Sequence, residues 1–292
     1  MPDDDAAAAR PAAAARGAAS GPGILVLLRH GQSTYNAEDR FTGLLDVPLS
    51  ERGVDEARRA GDLLAHALVR HPELTPRRVI TSPLVRASAT AAIVAEALPG
   101  PPPVEVAWRL VERHYGAFTD TPRAVVRSEH GEEAFWRYRR SYAHRPPPLA
   151  PDAPARADVD AVLARLPDDA RAALRPDTES LADVVDRLRP FWDGVRAALL
   201  RGETLLVVGH GNSLRALSVL VDGLAPEEVR DLDVPTGHPL VRRFLLEQAR
   251  PGRGTDEDAG GTRLVPLVRG GTYLDADGAE HAIADLRARG GT

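Results

Sequence analysis

Three short runs of hydrophobic residues predict buried strands. They lie at residues 23–28 (GILVLL), at residues 204–209 (TLLVVG) and, more weakly, at residues 77–82 (RRVITS). Continuous apolar runs of this length are typical of strands that are covered on both faces of a sheet. The pattern therefore predicts an interior sheet and not one that faces solvent.

Helical spacing alternates with these runs. Hydrophobic residues recur every three or four positions over residues 54–68, 178–201 and 214–224. Ser50 is a candidate N-cap of the first helix, and Pro190 predicts a kink in the second. Strands interleaved with helices predict an α/β fold of three layers, with a mostly parallel central sheet and helices on both faces.

The other segments differ in composition. Residues 1–22 are rich in alanine and proline, which predicts a disordered extension before a single catalytic domain at residues 23–250. Residues 145–176 contain a triple proline and predict an insertion or lid, with a short helix near residues 159–166. Residues 251–292 begin with a glycine-rich loop, and the sequence leaves the role of this C-terminal segment open.

Composition excludes several classes of protein. The chain of 292 residues has no cysteine, which excludes disulfides, thiolate metal sites and cysteine nucleophiles. Its net charge is -5 and it has no block of lysine and arginine, so we expect no nucleic-acid partner. No apolar run approaches the roughly 20 residues that span a bilayer. We therefore expect a soluble, cytoplasmic protein with no membrane partner.

Two histidines occupy equivalent places in the predicted fold. His30 and His210 each follow a predicted strand and precede a glycine. Ligand sites of open α/β sheets lie beyond the carboxyl ends of the strands, so neighbouring strands would place both imidazoles in one crevice. A zinc site would want a third protein ligand, and no HExxH motif is present. A capping or core role for each histidine is the simpler alternative.

Several arginines make phosphate a better ligand than a metal. Arg29 adjoins His30, Arg86 follows the third strand candidate, and Arg113, Arg139 and Arg140 stand near glycines or aromatic residues. Guanidinium groups bind phosphate oxygens in a bidentate manner. Each of these arginines could instead be a solvated surface residue.

Seven stretches extend this pattern over most of residues 24–244. They are LLRHGQSTYNAEDRFTGLLDVPLSERG, TSPLVRA, ERHYGA, RRSY, TESLADVVDRLRPFW, GHGNSLRAL and VPTGHPLV. In these stretches and in their order, the chain resembles the cofactor-dependent phosphoglycerate mutases of the histidine phosphatase superfamily. The resemblance implies the phosphoglycerate mutase-like α/β fold.

The resemblance also implies roles for individual residues. His30 corresponds to the nucleophile that becomes phosphohistidine, and Arg29 and Arg86 to the clamp on the phosphoryl oxygens. Glu112 corresponds to the acid/base carboxylate, and His210 to the second histidine at the phosphoryl group. Arg29, Arg86 and Glu112 would also contact substrate, together with Asn36, Thr42, Gly43, Arg113, Tyr115, Arg123, Arg139, Arg140, Gly211 and Asn212.

The implied activity is an isomerisation of glycolysis and gluconeogenesis. A phosphoglycerate mutase interconverts 3- and 2-phosphoglycerate through phosphohistidine, is primed by 2,3-bisphosphoglycerate and needs no metal. Family members are often homodimers or homotetramers. The chain departs from the family at Arg123, where a lysine is expected, at Gln32, where glutamate is common, and at Leu44, where an aromatic residue is frequent. A histidine phosphatase acting on a small phosphate ester, or a non-catalytic phospholigand-binding protein, are the alternatives.

Overall fold

The computed structural model describes residues 21–174, 177–248 and 261–288, and its centre is one six-stranded sheet. The strands are β1 Leu25–Arg29, β2 Arg78–Thr81, β3 Val104–Val106, β4 Leu205–Gly209, β5 Leu240–Arg242, β6 Phe244–Gln248, β7 Thr262–Pro266 and β8 Thr272–Tyr273. The sheet has the order β3-β2-β4-β1-β5-β8, and β6 and β7 form a separate antiparallel pair.

The helices are α1 Thr34–Ala37, α2 Glu51–Arg70, α3 Val85–Ala97, α4 Arg123–His130, α5 Glu132–Arg140, α6 Arg156–Ala164, α7 Asp168–Leu174, α8 Leu181–Leu200, α9 Gly211–Asp222, α10 Pro226–Arg230 and α11 Ala276–Ala288. Single 3₁₀ turns lie at Pro72–Leu74, Trp108–Leu110 and Gly116–Phe118.

Side chains of β1 alternate between two hydrophobic cores. Leu25 and Leu27 belong to the core that contains residues of α8 and α9. Val26 and Leu28 belong to the core that contains residues of α2 and α3. Because both faces of the strand are covered, every position must be apolar, which explains the unbroken run in the sequence. The predicted three-layer α/β architecture is confirmed.

The sheet is mostly parallel, with an antiparallel edge that the sequence patterns did not reveal. β1, β2, β3 and β4 pair in parallel. β5 pairs antiparallel with β1, and β8 pairs antiparallel with β5. These two strands have only three and two residues, too few to produce a hydrophobic pattern. The C-terminal segment left open by the sequence contributes β7, β8 and α11.

Capping residues set the ends of the predicted helices. Ser50 caps α2 as predicted, and its side chain accepts a hydrogen bond from the Gly53 N–H. α8 begins at Leu181, later than predicted, because Ser180 is its N-cap. Pro190 lies inside this helix, and the kink there stays a prediction. α9 ends at Asp222 and not at residue 224, because Gly223 adopts a left-handed conformation with φ of 61°.

The predicted insertion contains two helices. α6 covers most of the helix expected near residues 159–166, whereas α7 was not predicted. Buried residues of both helices, including Val159, Val162 and Leu174, pack with Leu44 and Leu45 in a core of their own. The insertion is thus anchored beside the loop that follows β1. Its function as a lid stays a prediction.

Two predicted segments fall largely outside the described residues. Of the extension at residues 1–22, only the last two are described, and of the glycine-rich loop at residues 252–261, only Gly261. The domain limits derived from them stay predictions.

Two glycines bring the loop after β1 against the start of α2. A Cβ atom on Gly31 would overlap the carbonyl oxygen of Gly53, and one on Gly53 would overlap the carbonyl oxygen of Gln32. Each clash is with backbone, which cannot move aside as a side chain can. This close approach fixes the backbone that directly follows His30.

We expect Gly53→Ala to lower the free energy of unfolding by about 1–3 kcal/mol, because it overpacks this contact, and to lower enzymatic activity by displacing the loop. Gly194→Ala is the matched control, since Gly194 lies in α8 with no atom near the added methyl. It should stabilise the protein by about 0.5–1 kcal/mol through helix propensity. Urea denaturation measures both, and equal stability of the two variants would contradict the assigned contact.

Candidate active site

The two histidines meet because their strands are neighbours in register. β1 and β4 pair in parallel, with Arg29 opposite Gly209, so the next residue of each strand is a histidine. The imidazole centroids of His30 and His210 are 4.9 Å apart, and the rings are inclined by 64°. The geometric expectation drawn from the sequence is therefore correct.

The backbone fixes the tautomer of His30. Its Nδ1 lies 2.6 Å from the carbonyl oxygen of Gly31, which can only accept a hydrogen bond. The proton of a neutral ring is therefore on Nδ1, and Nε2 carries the lone pair. Burial, reinforced by Arg86 and Arg29, holds the pKa of His30 well below its usual value. His30 is thus neutral at physiological pH, in the protonation state that a nucleophilic Nε2 requires.

The ring of His210 is buried and makes no hydrogen bond to the described residues. Neither imidazole nitrogen has a hydrogen-bond partner within the described part of the chain. Burial, followed by the charge of Arg86 and the neighbouring His30, holds the pKa of His210 well below its usual value. A neutral imidazole has one N–H donor, so His210 can donate to an acceptor that enters the site.

Two arginines are tied to carbonyl groups beside the histidines. Arg86 donates from Nη1 to the Leu45 carbonyl at 2.7 Å and from Nη2 to the Gly43 carbonyl at 2.9 Å. Arg29 donates to the Val234 carbonyl at 2.8 Å. Burial lowers the pKa of Arg86 to about 10, so its guanidinium remains charged at neutral pH. The anchored groups form a rigid cationic pair.

Glu112 provides a carboxylate at the same place. It is 9% exposed and accepts a hydrogen bond from the Arg113 N–H at 2.7 Å. The Asn212 N–H, at the start of α9, lies 3.3 Å from both carboxylate oxygens. The attraction of Glu112 favours the charged form of both Arg86 and Arg29. A partly accessible carboxylate in this position can exchange a proton with a bound hydroxyl.

A hydrogen-bonded chain orients the far side of the site. The Asn212 side chain donates to the Tyr115 hydroxyl at 2.8 Å and accepts from Arg215 at 3.0 Å. The Arg113 guanidinium stacks 4.4 Å from the Tyr115 ring centroid. Since Arg215 can only donate, it fixes which end of the Asn212 amide faces the tyrosine.

These side chains enclose a small polar cavity of about 30 Å³. A larger open cavity of about 500 Å³ adjoins it and shares Arg29, Asn36 and Arg123. The small cavity has room for little more than a phosphoryl group. Its lining residues are Arg29, His30, Asn36, Arg40, Phe41, Thr42, Gly43, Arg86, Glu112, Tyr115, Arg123 and Asn212.

Comparison with known proteins agrees with this geometry. The family model of the histidine phosphatase superfamily (branch 1) matches residues 25–172 and 151–244. The chain belongs to the histidine phosphatase superfamily. The resemblance on which the sequence analysis relied is confirmed.

Curated relatives align over nearly their whole length. A protein of Streptomyces avermitilis is 42% identical over 93% of this chain and 98% of its own, and one of Thermobifida fusca is 44% identical over 91% and 98%. Both are named 2,3-bisphosphoglycerate-dependent phosphoglycerate mutase.

Solved structures share the fold at lower identity. A mycobacterial glucosyl-3-phosphoglycerate phosphatase has a TM-score of 0.58 at 24% identity, covering 83% of this chain and 97% of its own. A second mycobacterial hydrolase has a TM-score of 0.59 at 24% identity, covering 90% and 97%. At this identity they establish the superfamily fold alone.

Most of the site residues predicted for this superfamily member line the small cavity. Four of the five predicted catalytic residues line it, and the fifth, His210, has its ring centroid 4.9 Å from that of His30. The predicted substrate contacts that line it are Asn36, Thr42, Gly43, Tyr115, Arg123 and Asn212. Their binding roles stay predictions.

Four predicted substrate contacts do not line the small cavity. Arg113 stacks against Tyr115, and Gly211 is the first residue of α9. Arg139 is buried 5.8 Å from the Phe41 ring centroid. Arg140 is ion-paired with Asp233 at 2.6 Å and lines a separate cavity of about 750 Å³. Contact between these residues and substrate stays a prediction.

Arg123, which replaces the expected lysine, lines the site, but its guanidinium already has an acidic partner. It forms an ion pair of 2.8 Å with Asp39. Asp39 has a positive φ of 53°, an unusual conformation for a residue with a side chain. The positive charge of the expected lysine is therefore retained at this position, and a neighbouring carboxylate orients it.

Two lining residues received no role from the sequence. Arg40 and Phe41 belong to the first of the seven family-like stretches, between Asn36 and Thr42, to which the resemblance gave roles. Arg40 is held by Asp120 at 2.7 Å. The contact between Arg40 and Asp120, which lie eighty positions apart in the chain, leaves no local signal. The first stretch nevertheless contains both Arg40 and Phe41.

Within residues 21–174, 177–248 and 261–288, no group of three histidine, aspartate or glutamate side chains could hold a metal ion. None of the helices in these ranges is long and apolar enough to cross a membrane.

We expect His30 to remain neutral and protonated on Nδ1 as the pH of the phosphate-free protein falls from about 8 to 5.5, because burial opposes its charging. Nitrogen-15 NMR of labelled histidine measures this directly. Chain unfolded in urea is the control, in which histidine titrates near its ordinary pKa of about 6.5. Titration of native His30 near that value would contradict the described environment.

The lowered pKa values of His30 and His210 predict a loss of stability in acid. Below a pH of about 6.5 the unfolded chain gains protons on His30 and His210 that the native protein does not. The free energy of unfolding should therefore fall with decreasing pH in this range, and less steeply in His30→Gln/His210→Gln. Urea denaturation at pH 7.5 and 5.5 compares the two proteins. An equal pH dependence would contradict the prediction.

Proposed function

We propose that this protein interconverts 3-phosphoglycerate and 2-phosphoglycerate through a phosphorylated His30, primed by 2,3-bisphosphoglycerate. The observation that carries the proposal is the pair of neutral histidines held between Arg29 and Arg86, with Glu112 beside them. The names of relatives that are 41–44% identical over most of this chain support the choice of substrate.

The cationic lining fits a doubly anionic phosphate ester. Buried nitrogen atoms of Arg29 (Nε), which lines the small cavity, and of His210 (both ring nitrogens), beside His30, have no hydrogen-bond partner within the described residues. Buried donors without partners are costly, so an anion that supplies acceptors would be stabilised here. 2,3-Bisphosphoglycerate supplies the phosphoryl group that primes the enzyme.

Each residue then has a distinct task in the transfer. His30 Nε2 attacks phosphorus, so that a P–N bond forms as a P–O bond breaks. Arg29, Arg86 and an N–H of His210 stabilise the negative charge on the transferring oxygens. Glu112 gives a proton to the departing oxygen and takes one from the hydroxyl that attacks in the return step.

The remaining anionic group of the substrate needs its own cation. Arg123 lines both adjoining cavities, and Arg113 stacks directly behind Tyr115. We propose that Arg123 meets the carboxylate of the phosphoglycerate at the junction of these cavities. We also propose a glycolytic and gluconeogenic role in the cytoplasm, without a metal. Association as a homodimer or homotetramer stays a prediction.

We expect purified protein to form 2-phosphoglycerate from 3-phosphoglycerate in an enolase-coupled assay, with a rate that depends on a catalytic amount of 2,3-bisphosphoglycerate. His30→Ala should abolish the activity, because the proposed P–N bond forms at Nε2 of His30. His66→Ala, which changes an exposed histidine of α2, is the matched control.

Release of inorganic phosphate is measured in the same reactions. Phosphate formation without 2-phosphoglycerate would contradict the proposal and assign the protein to the phosphatases of the superfamily. Isomerisation that persists in His30→Ala would contradict the identity of the nucleophile.

A further inference from the structure

A buried ion pair lies behind the segment that carries Glu112. Arg187 of α8 and Glu179, just before this helix, are joined at 2.7 Å, and their side chains are 4% and 3% exposed. Neither lines the small cavity. A buried ion pair adds little net stability because removal of both charges from water is costly, so its presence calls for another explanation.

Arg187 binds the backbone of the segment that carries Glu112. Its guanidinium donates to the carbonyl groups of Arg109, of Val111 at 2.8 Å and of Glu112 at 3.3 Å. Three carbonyls within four residues are thus held by one rigid planar group. Lysine could not reproduce this, because it presents a point charge and not a fork.

Glu179 binds the same segment from the other side of Glu112. Its carboxylate accepts a hydrogen bond from the His114 N–H at 2.9 Å, while its own N–H donates to the His114 carbonyl at 2.9 Å. Together, Glu179 and Arg187 fix the backbone at residues 109, 111, 112 and 114. The side chain of Glu112 projects from the middle of this clamped stretch.

We propose that Arg187 and Glu179 are positioning residues that set the carboxylate of Glu112 for proton transfer. This inference rests on the proposed function, because it takes Glu112 as the acid/base group. The carboxylate of Glu112 accepts hydrogen bonds from the N–H groups of Arg113 and Asn212 within the described residues, and neither bond sets the position of the Glu112 backbone. A shift of this backbone would move the carboxylate away from the substrate oxygen and leave His30 in place.

The test separates proton transfer from phosphoryl transfer by the leaving group. The alcohol oxygen of a phosphoglycerate needs a proton as it departs from phosphorus. The 4-nitrophenolate group of 4-nitrophenyl phosphate departs as a stable anion and needs none. The double variant Glu179→Gln/Arg187→Met removes the clamp, by which we mean the ion pair of Glu179 and Arg187 and the guanidinium that holds the three carbonyls. It leaves no buried unpaired charge. We expect the ratio of phosphoglycerate turnover to the nitrophenolate burst to fall by about 30- to 100-fold. This is at or below the lower limit of the roughly 10²- to 10⁴-fold contribution of general acid/base catalysis, because the variant displaces the Glu112 carboxylate and does not remove it.

Two controls address simpler explanations. Arg189→Met changes an exposed arginine of the same helix, paired only with Asp186 at 3.1 Å, and should leave the ratio as in wild type. Arg187→Lys keeps the positive charge and should not restore the ratio. An equal fall of both activities in the double variant, as from general loss of structure, would overturn the proposal.

A double-mutant cycle with Glu112→Gln provides a second, independent measurement. If the clamp acts through Glu112, removing it in Glu112→Gln should change phosphoglycerate turnover by less than about 3-fold, because the group that it positions is already absent. Independent, multiplicative losses would overturn the proposal. Wild-type protein in the same assays tests the proposed function separately: if it forms no 2-phosphoglycerate, that function fails, whatever the variants do.

Discussion

The exclusion of water from a cluster of cationic groups governs the chemistry of this site. Arg29, Arg86, His30 and His210 are all buried, and one partly accessible carboxylate, Glu112, lies beside them. A buried ion that lacks full compensation costs on the order of several kcal/mol. The protein avoids part of this cost by keeping both histidines neutral. In the proposed mechanism, an entering phosphate ester would supply the missing negative charge, which would link binding of the substrate to the reactivity of His30.

The rest of the fold holds these groups against their mutual repulsion. Parallel pairing of β1 and β4 delivers the two imidazoles to one point, and backbone carbonyls anchor both arginines. The reciprocal contact of Gly31 and Gly53 leaves no freedom to the loop after His30. Such anchoring matters because stabilisation of a transition state requires donors that are already oriented when charge develops.

The motifs that made the site predictable are local in sequence. His30 and His210 could be placed together because strand–histidine–glycine occurs twice, and sheets gather strand ends at one edge. The two-residue strand β8 and the three-residue strand β5 gave no such signal, and α7 lies in the proline-containing segment that suggested an insertion or lid with one short helix. Arg140 was grouped with Arg139 from sequence adjacency, yet neighbouring residues of a helix point about 100° apart. The clamp of Arg187 and Glu179 depends on contacts with a segment some seventy residues away, which no local pattern reports.

The account depends most directly on which nitrogen atom receives the phosphoryl group. Protein primed with 2,3-bisphosphoglycerate can be labelled with nitrogen-15 at histidine and examined by phosphorus and nitrogen NMR for the P–N coupling. Because Nδ1 of His30 is engaged by the Gly31 carbonyl, the phosphoryl group should be found on Nε2 of His30. A phosphoryl group on Nδ1 of that ring, or on His210, would contradict the account.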